Sequence, residues 1–122
     1  MFLVASSGHS SYDRSKAGSK IFCMSAGGNL ASVHSDEEYF FLREFIYKVT
    51  GANRESWIGG FDAVKEGVWQ WSDGSNFDYK QWATGQPDNA GRVEHCLEMN
   101  YQDKLNDRPC QTVYPFVCSK KL

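Results

Sequence analysis

The chain has 122 residues, with 13 Lys and Arg against 15 Asp and Glu, four cysteines and 41% hydrophobic residues, enough for the core of one small domain spanning residues 1–122. A net charge of -2 without a basic block excludes a broad phosphate-binding surface, so nucleic acid is not an expected partner. Its longest apolar runs, such as Tyr39-Phe40-Phe41-Leu42, fall far short of the roughly 20 residues that cross a bilayer, and no membrane insertion is expected.

A short strand is predicted near Phe2-Leu3-Val4, followed by a polar loop from Ala5 to Ser11. The start lacks the basic and apolar regions of a secretory leader, so any such peptide is expected to have been removed already. From Tyr12 to Met24 the pattern predicts a helix with Ser11 as N-cap and Asp13 in its first turn, ending at Gly27-Gly28. Ser35-Asp36-Glu37-Glu38 is a capping box for a second helix, with Tyr39, Leu42, Phe45, Ile46 and Val49 on one face and a stop at Gly51.

Beyond Gly51 the pattern turns to strands. Trp57-Ile58-Gly59-Gly60 and Val68-Trp69-Gln70-Trp71 read as β, with a turn at Asp73-Gly74. Residues 83–95 are almost devoid of apolar side chains, and a loop of that length is functional or disordered. Cys96 to Asn100 and Val113 to Cys118 are the last predicted strands. Helices preceding strands give an α+β class.

Four cysteines with no Cys-x-x-Cys and no zinc spacing favour two disulfides and an oxidising, extracellular setting; three pairings are open. The second half also concentrates oxygen donors. Gln86, Asp88, Glu94, Asn106 and Asp107 offer three carboxylates and two amide oxygens, a donor set of the kind that holds calcium, which takes about six to eight oxygens. Positions left open on such an ion suit a pair of vicinal hydroxyls, each donating to a carboxylate and accepting from an amide.

Gln86-Pro87-Asp88, Glu94-His95-Cys96 and Leu105-Asn106-Asp107 three residues before Cys110 have the spacing of a known calcium site. Together with Asn29-Leu30-Ala31-Ser32-Val33, Trp57-Ile58-Gly59-Gly60, Trp69-Gln70-Trp71-Ser72-Asp73-Gly74 and Phe116-Val117-Cys118, they make nearly the whole chain resemble the C-type lectin domain superfamily in its short form. The resemblance implies two helices flanking small antiparallel sheets, with a long calcium-binding loop region. It implies the pairings Cys23 with Cys118 and Cys96 with Cys110, and a cis bond before Pro87. In the chain-entropy picture two such bridges contribute about 4.7 and 3 kcal/mol for loops of roughly 100 and 15 residues.

Calcium is the implied cofactor, held by Gln86, Asp88, Glu94, Asn106 and Asp107. Gln before Pro87 and Asp after it, in place of Glu and Asn, implies terminal galactose or N-acetylgalactosamine over mannose. Galactose binders usually stack the sugar on an aromatic ring; Leu105 and Asn89-Ala90 occupy the usual positions here, leaving Tyr101 and His95 as candidates. Asp62 and Glu66, with Asn89, resemble part of an auxiliary calcium site, where His95 replaces an acid. Lys16, Ser19 and Gly60 depart from the family's usual aromatic, alanine and leucine. The four tryptophans fit core roles.

No nucleophile elbow, His-Glu-x-x-His or phosphate loop is present, and His9, His34 and His95 stand at unrelated positions, so no enzymatic activity is expected. The expected protein is a secreted galactose or N-acetylgalactosamine lectin. Weak single-site affinity makes a homo-oligomer the expected partner arrangement. Ice binding on the same fold is the alternative, and a protein-binding module a further one, although such modules generally lose the calcium ligands that all five positions retain here.

Overall fold

The capping box sets the better-formed helix. In the computed structural model, which describes residues 2–5 and 15–120, α2 spans Asp36–Thr50. Ser35 Oγ accepts from the Glu38 amide at 3.1 Å, and Glu38 Oε1 accepts from the His34 amide at 3.0 Å. The helix ends at Gly51, whose φ of 83° a side-chain-bearing residue would adopt only with strain. Tyr39, Leu42 and Ile46 are buried. Val49, expected on that face, is 47% exposed, because the final turn overhangs the core.

The first helix starts later than predicted. α1 spans Lys16–Ser25, with Ser15 in extended conformation accepting from the Gly18 amide. A cap at Ser15 replaces the one expected at Ser11; positions 6–14, including Asp13 and the polar loop, lie outside the described residues. Lys16, Ser19 and Cys23 form the buried stripe.

Among the described residues seven strands make one sheet: β1 (Phe2–Ala5), β2 (Gly28–Leu30), β3 (Ser56–Phe61), β4 (Gln70–Trp71), β5 (Glu94–Tyr101), β6 (Lys104–Pro109) and β7 (Phe116–Lys120). The main path runs β1-β7-β3-β5-β6, with β2 beside β7 and β4 beside β3. All pairings are antiparallel except β3 with β7, where Trp57 faces Phe116. That contact joins the expected small antiparallel sheets into a mixed one within the expected α+β fold. β2 and β6 were not predicted. The Val68–Trp71 strand shrinks to two residues, β5 is longer at both ends, and β7 begins at Phe116 with Val113 exposed.

β6 escapes prediction for a physical reason. Tyr101 pairs with Lys104 across a two-residue turn whose members, Gln102 and Asp103, both have positive φ. That geometry draws glycine and asparagine most strongly, and Gln102 followed by Asp103 is only a weak signal for it. β6 also carries polar side chains inward: Asn106 and Asp107 are buried.

The disulfides Cys23–Cys118 and Cys96–Cys110 form as the resemblance implies, with Cα separations of 5.3 and 5.2 Å. Both belong to a cluster around Trp57 and Phe116, while Leu42, Ile46, Ile58, Leu97, Leu105 and Val117 fill a second. Trp71 is buried and Trp69 and Trp82 pack against that second cluster, in keeping with core roles. His34 braces the scaffold, its ring nitrogens meeting Asp78 at 2.8 Å and Ser32 at 3.0 Å.

Candidate functional site

The polar segment after Trp82 folds back onto β6. Trp82 bridges Leu105 in parallel, and the Ala83 amide donates to the Leu105 carbonyl at 2.8 Å, which docks the loop beside Asn106 and Asp107. Gln86 follows a turn and is joined to Pro87 by a cis bond, as expected. Asp107, fully buried, then gathers the loop with its carboxylate. Its Oδ2 accepts from the Asn89 amide at 2.7 Å and its Oδ1 from the Asp88 amide at 3.3 Å. Asn89, in the left-handed region at φ 45°, accepts from the Glu94 amide at 2.9 Å, closing a short turn over residues 90–92. Glu94 Oε1 in turn accepts from the Ala90 amide at 3.0 Å.

This folding brings ligand oxygens of Asp88, Glu94 and Asp107 within 4.8 Å of one another. Among the described residues none of the three pairs with Lys, Arg or His. Burial raises the Glu94 carboxyl above the usual glutamate range, and the charges of Asp107 and Asp88 add to it. Asp107 is also raised by burial, against the amides of Asn89 and Asp88 that favour its charge.

Gln86 and Asn106 complete the expected set. Gln86 Oε1 and Asn106 Oδ1 are both buried without a hydrogen-bond partner among the described residues. An amide oxygen left so costs about 1–3 kcal/mol, a cost that coordination to a cation removes. Asn106 is held in this orientation from behind. Its Nδ2 donates to Glu98 Oε1 at 2.7 Å, and the same oxygen accepts from Arg108 Nε and a terminal guanidinium nitrogen at 3.1 and 2.9 Å. Arg108 also reaches Glu55 Oε2 at 2.9 Å. Burial pushes the Glu98 carboxyl up to about 7, against the pull of Asn106 and Arg108.

Glu98 is thus a positioning residue that the sequence analysis missed. Its signal was present: an acid inside Cys96-Leu97-Glu98-Met99, with Asn106 and Arg108 two apart on the facing strand.

The auxiliary residues form a second group. Asp62, Glu66 and His95 place ligand atoms within 4.8 Å of one another. His95 Nδ1 lies 3.1 Å from Asp62 Oδ1 and 3.3 Å from Glu66 Oε1, and Asp62 Oδ2 accepts from the Gly67 amide. Asn89 Nδ2 donates to Glu66 at 2.8 Å, so Asn89 links both groups. Tyr101 stands at the opposite end of β5 from Glu94, and the Arg108 guanidinium lies 5.7 Å over its ring. The structure therefore engages Tyr101 with Arg108 and does not place it among the converging oxygens.

The family model for the lectin C-type domain matches residues 12–120. Among curated relatives, the galactose-specific lectin nattectin of Thalassophryne nattereri is 48% identical over 107 residues, covering 87% of this chain and 67% of that protein. Ladderlectin of Oncorhynchus mykiss is 50% identical over 95 residues, covering 76% of this chain and half of that protein. Among solved structures, herring type II antifreeze protein superimposes with a TM-score of 0.86 at 34% identity, over 99% of this chain and 90% of that one. The strand path, the paired disulfides and these matches lead to one conclusion: the chain belongs to the C-type lectin domain family.

Proposed function

We propose that the protein is a calcium-dependent lectin for terminal galactose or N-acetylgalactosamine, recognising sugar without catalysis, with the ion held by Gln86, Asp88, Glu94, Asn106 and Asp107. The observation that carries this reading is the convergence of three carboxylates that have no cationic side chain among the described residues, together with the buried amide oxygens of Gln86 and Asn106 that have no donor among them. The donor set is all oxygen and carries three negative charges, which fits a hard divalent cation and disfavours zinc.

When bound, calcium supplies open coordination positions to a pair of vicinal hydroxyls. The chain supplies the hydrogen bonds: the carboxylates accept from the hydroxyl protons, and the amides of Gln86 and Asn106 donate to the hydroxyl oxygens. Asn106 gives one amide hydrogen to Glu98 and retains the other. Galactose is supported by the order of amide and acid about Pro87 and by the sugar in nattectin's name. Asp62, Glu66 and Asn89 form a weaker auxiliary calcium position in this reading, since His95 already engages both acids. Two disulfides suit a secreted protein. Few contacts beyond the hydroxyls mean weak single-site affinity, and a homo-oligomer supplies avidity.

The test is titration calorimetry of galactose, N-acetylgalactosamine and mannose, with calcium and with EDTA. Binding of the first two, abolished by EDTA, is expected. Calcium occupancy without any sugar binding overturns the lectin reading. Ice binding is the second reading, favoured by the near-complete superposition on herring type II antifreeze protein. Thermal hysteresis in dilute solution checks it, and its absence removes it.

A further inference from the structure

A second chemically distinct place lies under α1, away from the calcium-type oxygens. Lys16 sits on the buried stripe of the helix and is only 7% exposed. Its Nζ donates to the Gly60 carbonyl at 2.6 Å and lies 5.3 Å from the Trp57 ring centroid. Among the described residues no carboxylate pairs with it, and the charge that acts on it is the like-charged Lys20. A buried ammonium without a counter-ion is costly and is normally paired or neutral.

The surroundings explain how a lysine came to lie there. Between Trp57 and Phe61 the β3–β5 register is interrupted, and Gly60, whose carbonyl takes the Lys16 hydrogen bond, falls in that stretch. Residue 60 has no room for a side chain, since a Cβ there would overlap the Leu97 side chain. Lys16 also lines a cavity of about 260 Å³, walled in addition by Ala17, Leu30, Phe61, Ala63 and the Cys96–Cys110 disulfide, with Lys20 and Ser72 as its other polar lining. That is room for roughly eight groups the size of a water molecule. The walls are mainly apolar carbon and sulfur, so they favour an uncharged hydrocarbon chain over a polar one.

We infer that Lys16 is a covalent-binding site, at which the amine condenses with a small apolar aldehyde seated in this cavity. The nitrogen lone pair attacks the carbonyl carbon and the C=O π pair moves to oxygen, which takes up a proton to give a carbinolamine. Loss of the hydroxyl as water, with the remaining nitrogen proton, leaves the C=N bond. One water leaves for each imine formed, and no electrons are exchanged. Desolvated lysines in apolar pockets perform this chemistry because their amine is neutral and free to attack. Burial, with Lys20 adding repulsion, lowers the Lys16 ammonium to about 7. An ordinary lysine is only about 0.1% neutral at pH 7.5, and after allowing for the weaker basicity a net advantage of roughly tenfold or more remains.

The experiment treats the folded protein at pH 7.5 with butanal and cyanoborohydride, which traps any imine as a stable secondary amine, and reads the sites by peptide mapping. Lys16 is expected to be alkylated at least about tenfold faster than exposed Lys48, Lys65, Lys80 and Lys104. With glyoxylate, a charged aldehyde, that preference is expected to vanish. Lys16→Arg and Lys16→Met, compared by circular dichroism with the parent, should both lose the fast phase. Alkylation of Lys16 at the rate of exposed lysines overturns the inference, as does equal preference for butanal and glyoxylate. A fast phase that survives either substitution overturns it as well.

Discussion

Two acidic groups lie side by side, joined through Asn89, and they meet the repulsion of like charges in different ways. Asp62 and Glu66 share His95 Nδ1, and Asp62 also takes the Gly67 amide, so this group carries its own donors. Asp88, Glu94 and Asp107 share only backbone amides and have no cationic side chain among the described residues. Glu98, farther along β5 from Glu94, is a third case, buried with one carboxylate oxygen answered by Arg108 and Asn106. Acids left without a cationic partner among the described residues are the ones that the proposed function assigns to an ion from outside.

The largest effect that tests this contrast is expected from Asp107→Ala. It removes a charge and the acceptor of two loop amides together, and calcium affinity should fall by more than the roughly 10- to 100-fold typical of losing an outer-sphere partner. Calcium titration by calorimetry reads it; a loss under tenfold would place the ion elsewhere. Glu98→Gln comes next, because it removes the charge that holds Asn106 and leaves Arg108 with Glu55 as its remaining carboxylate partner. We expect calcium and galactose affinity to weaken together by about tenfold, with a lower Tm.

The pH dependence sharpens the same point. Glu94 and Asp107 have folded pKa values raised above their unfolded ones, so the apo fold binds more protons than the unfolded chain in that window. Their contribution to apo stability is therefore present at low pH and lost as pH rises through the raised values. With calcium saturating, protons compete with the ion and the sign reverses. Thermal melts in EDTA and in calcium at stepped pH should diverge on rising pH, the apo Tm falling and the calcium Tm climbing. Parallel curves would mean that the ion does not bind these carboxylates.

Smaller effects are expected at the neighbouring group. His95→Asp replaces the ring nitrogen shared by Asp62 and Glu66 with an acid and should tighten calcium at this second position to a measurable affinity, while changing the first by less than about threefold. Two equal calcium ions in the parent protein would erase the distinction between the groups. Least of all is expected from Tyr101→Ala. With Arg108 over its ring, galactose affinity should change by less than about threefold, and a larger loss would restore a stacking role.

Much of this was legible in the residues. α2 was readable because its cap, its apolar stripe and its terminal glycine agree. The oxygen donors were readable as a set because their types and spacing around Cys96 and Cys110 are distinctive. β6 was hidden, since its turn is made by Gln102 and Asp103 and its inward positions are polar. Val49 was misplaced because a helical wheel shows which side faces inward but not how far the core extends.

The sequence by itself determined the class, the family resemblance, the disulfide partners that the resemblance selects and the chemical character of the oxygen set, because these depend on residue type and local spacing. Only the tertiary structure decided which acids are answered by cations and which are not, that Glu98 holds Asn106, that Arg108 engages Tyr101, and that Lys16 lies buried against Gly60. Each of those depends on side chains from different elements meeting in a low-dielectric interior, where the cost of an unpaired charge is set by neighbours that no local pattern records.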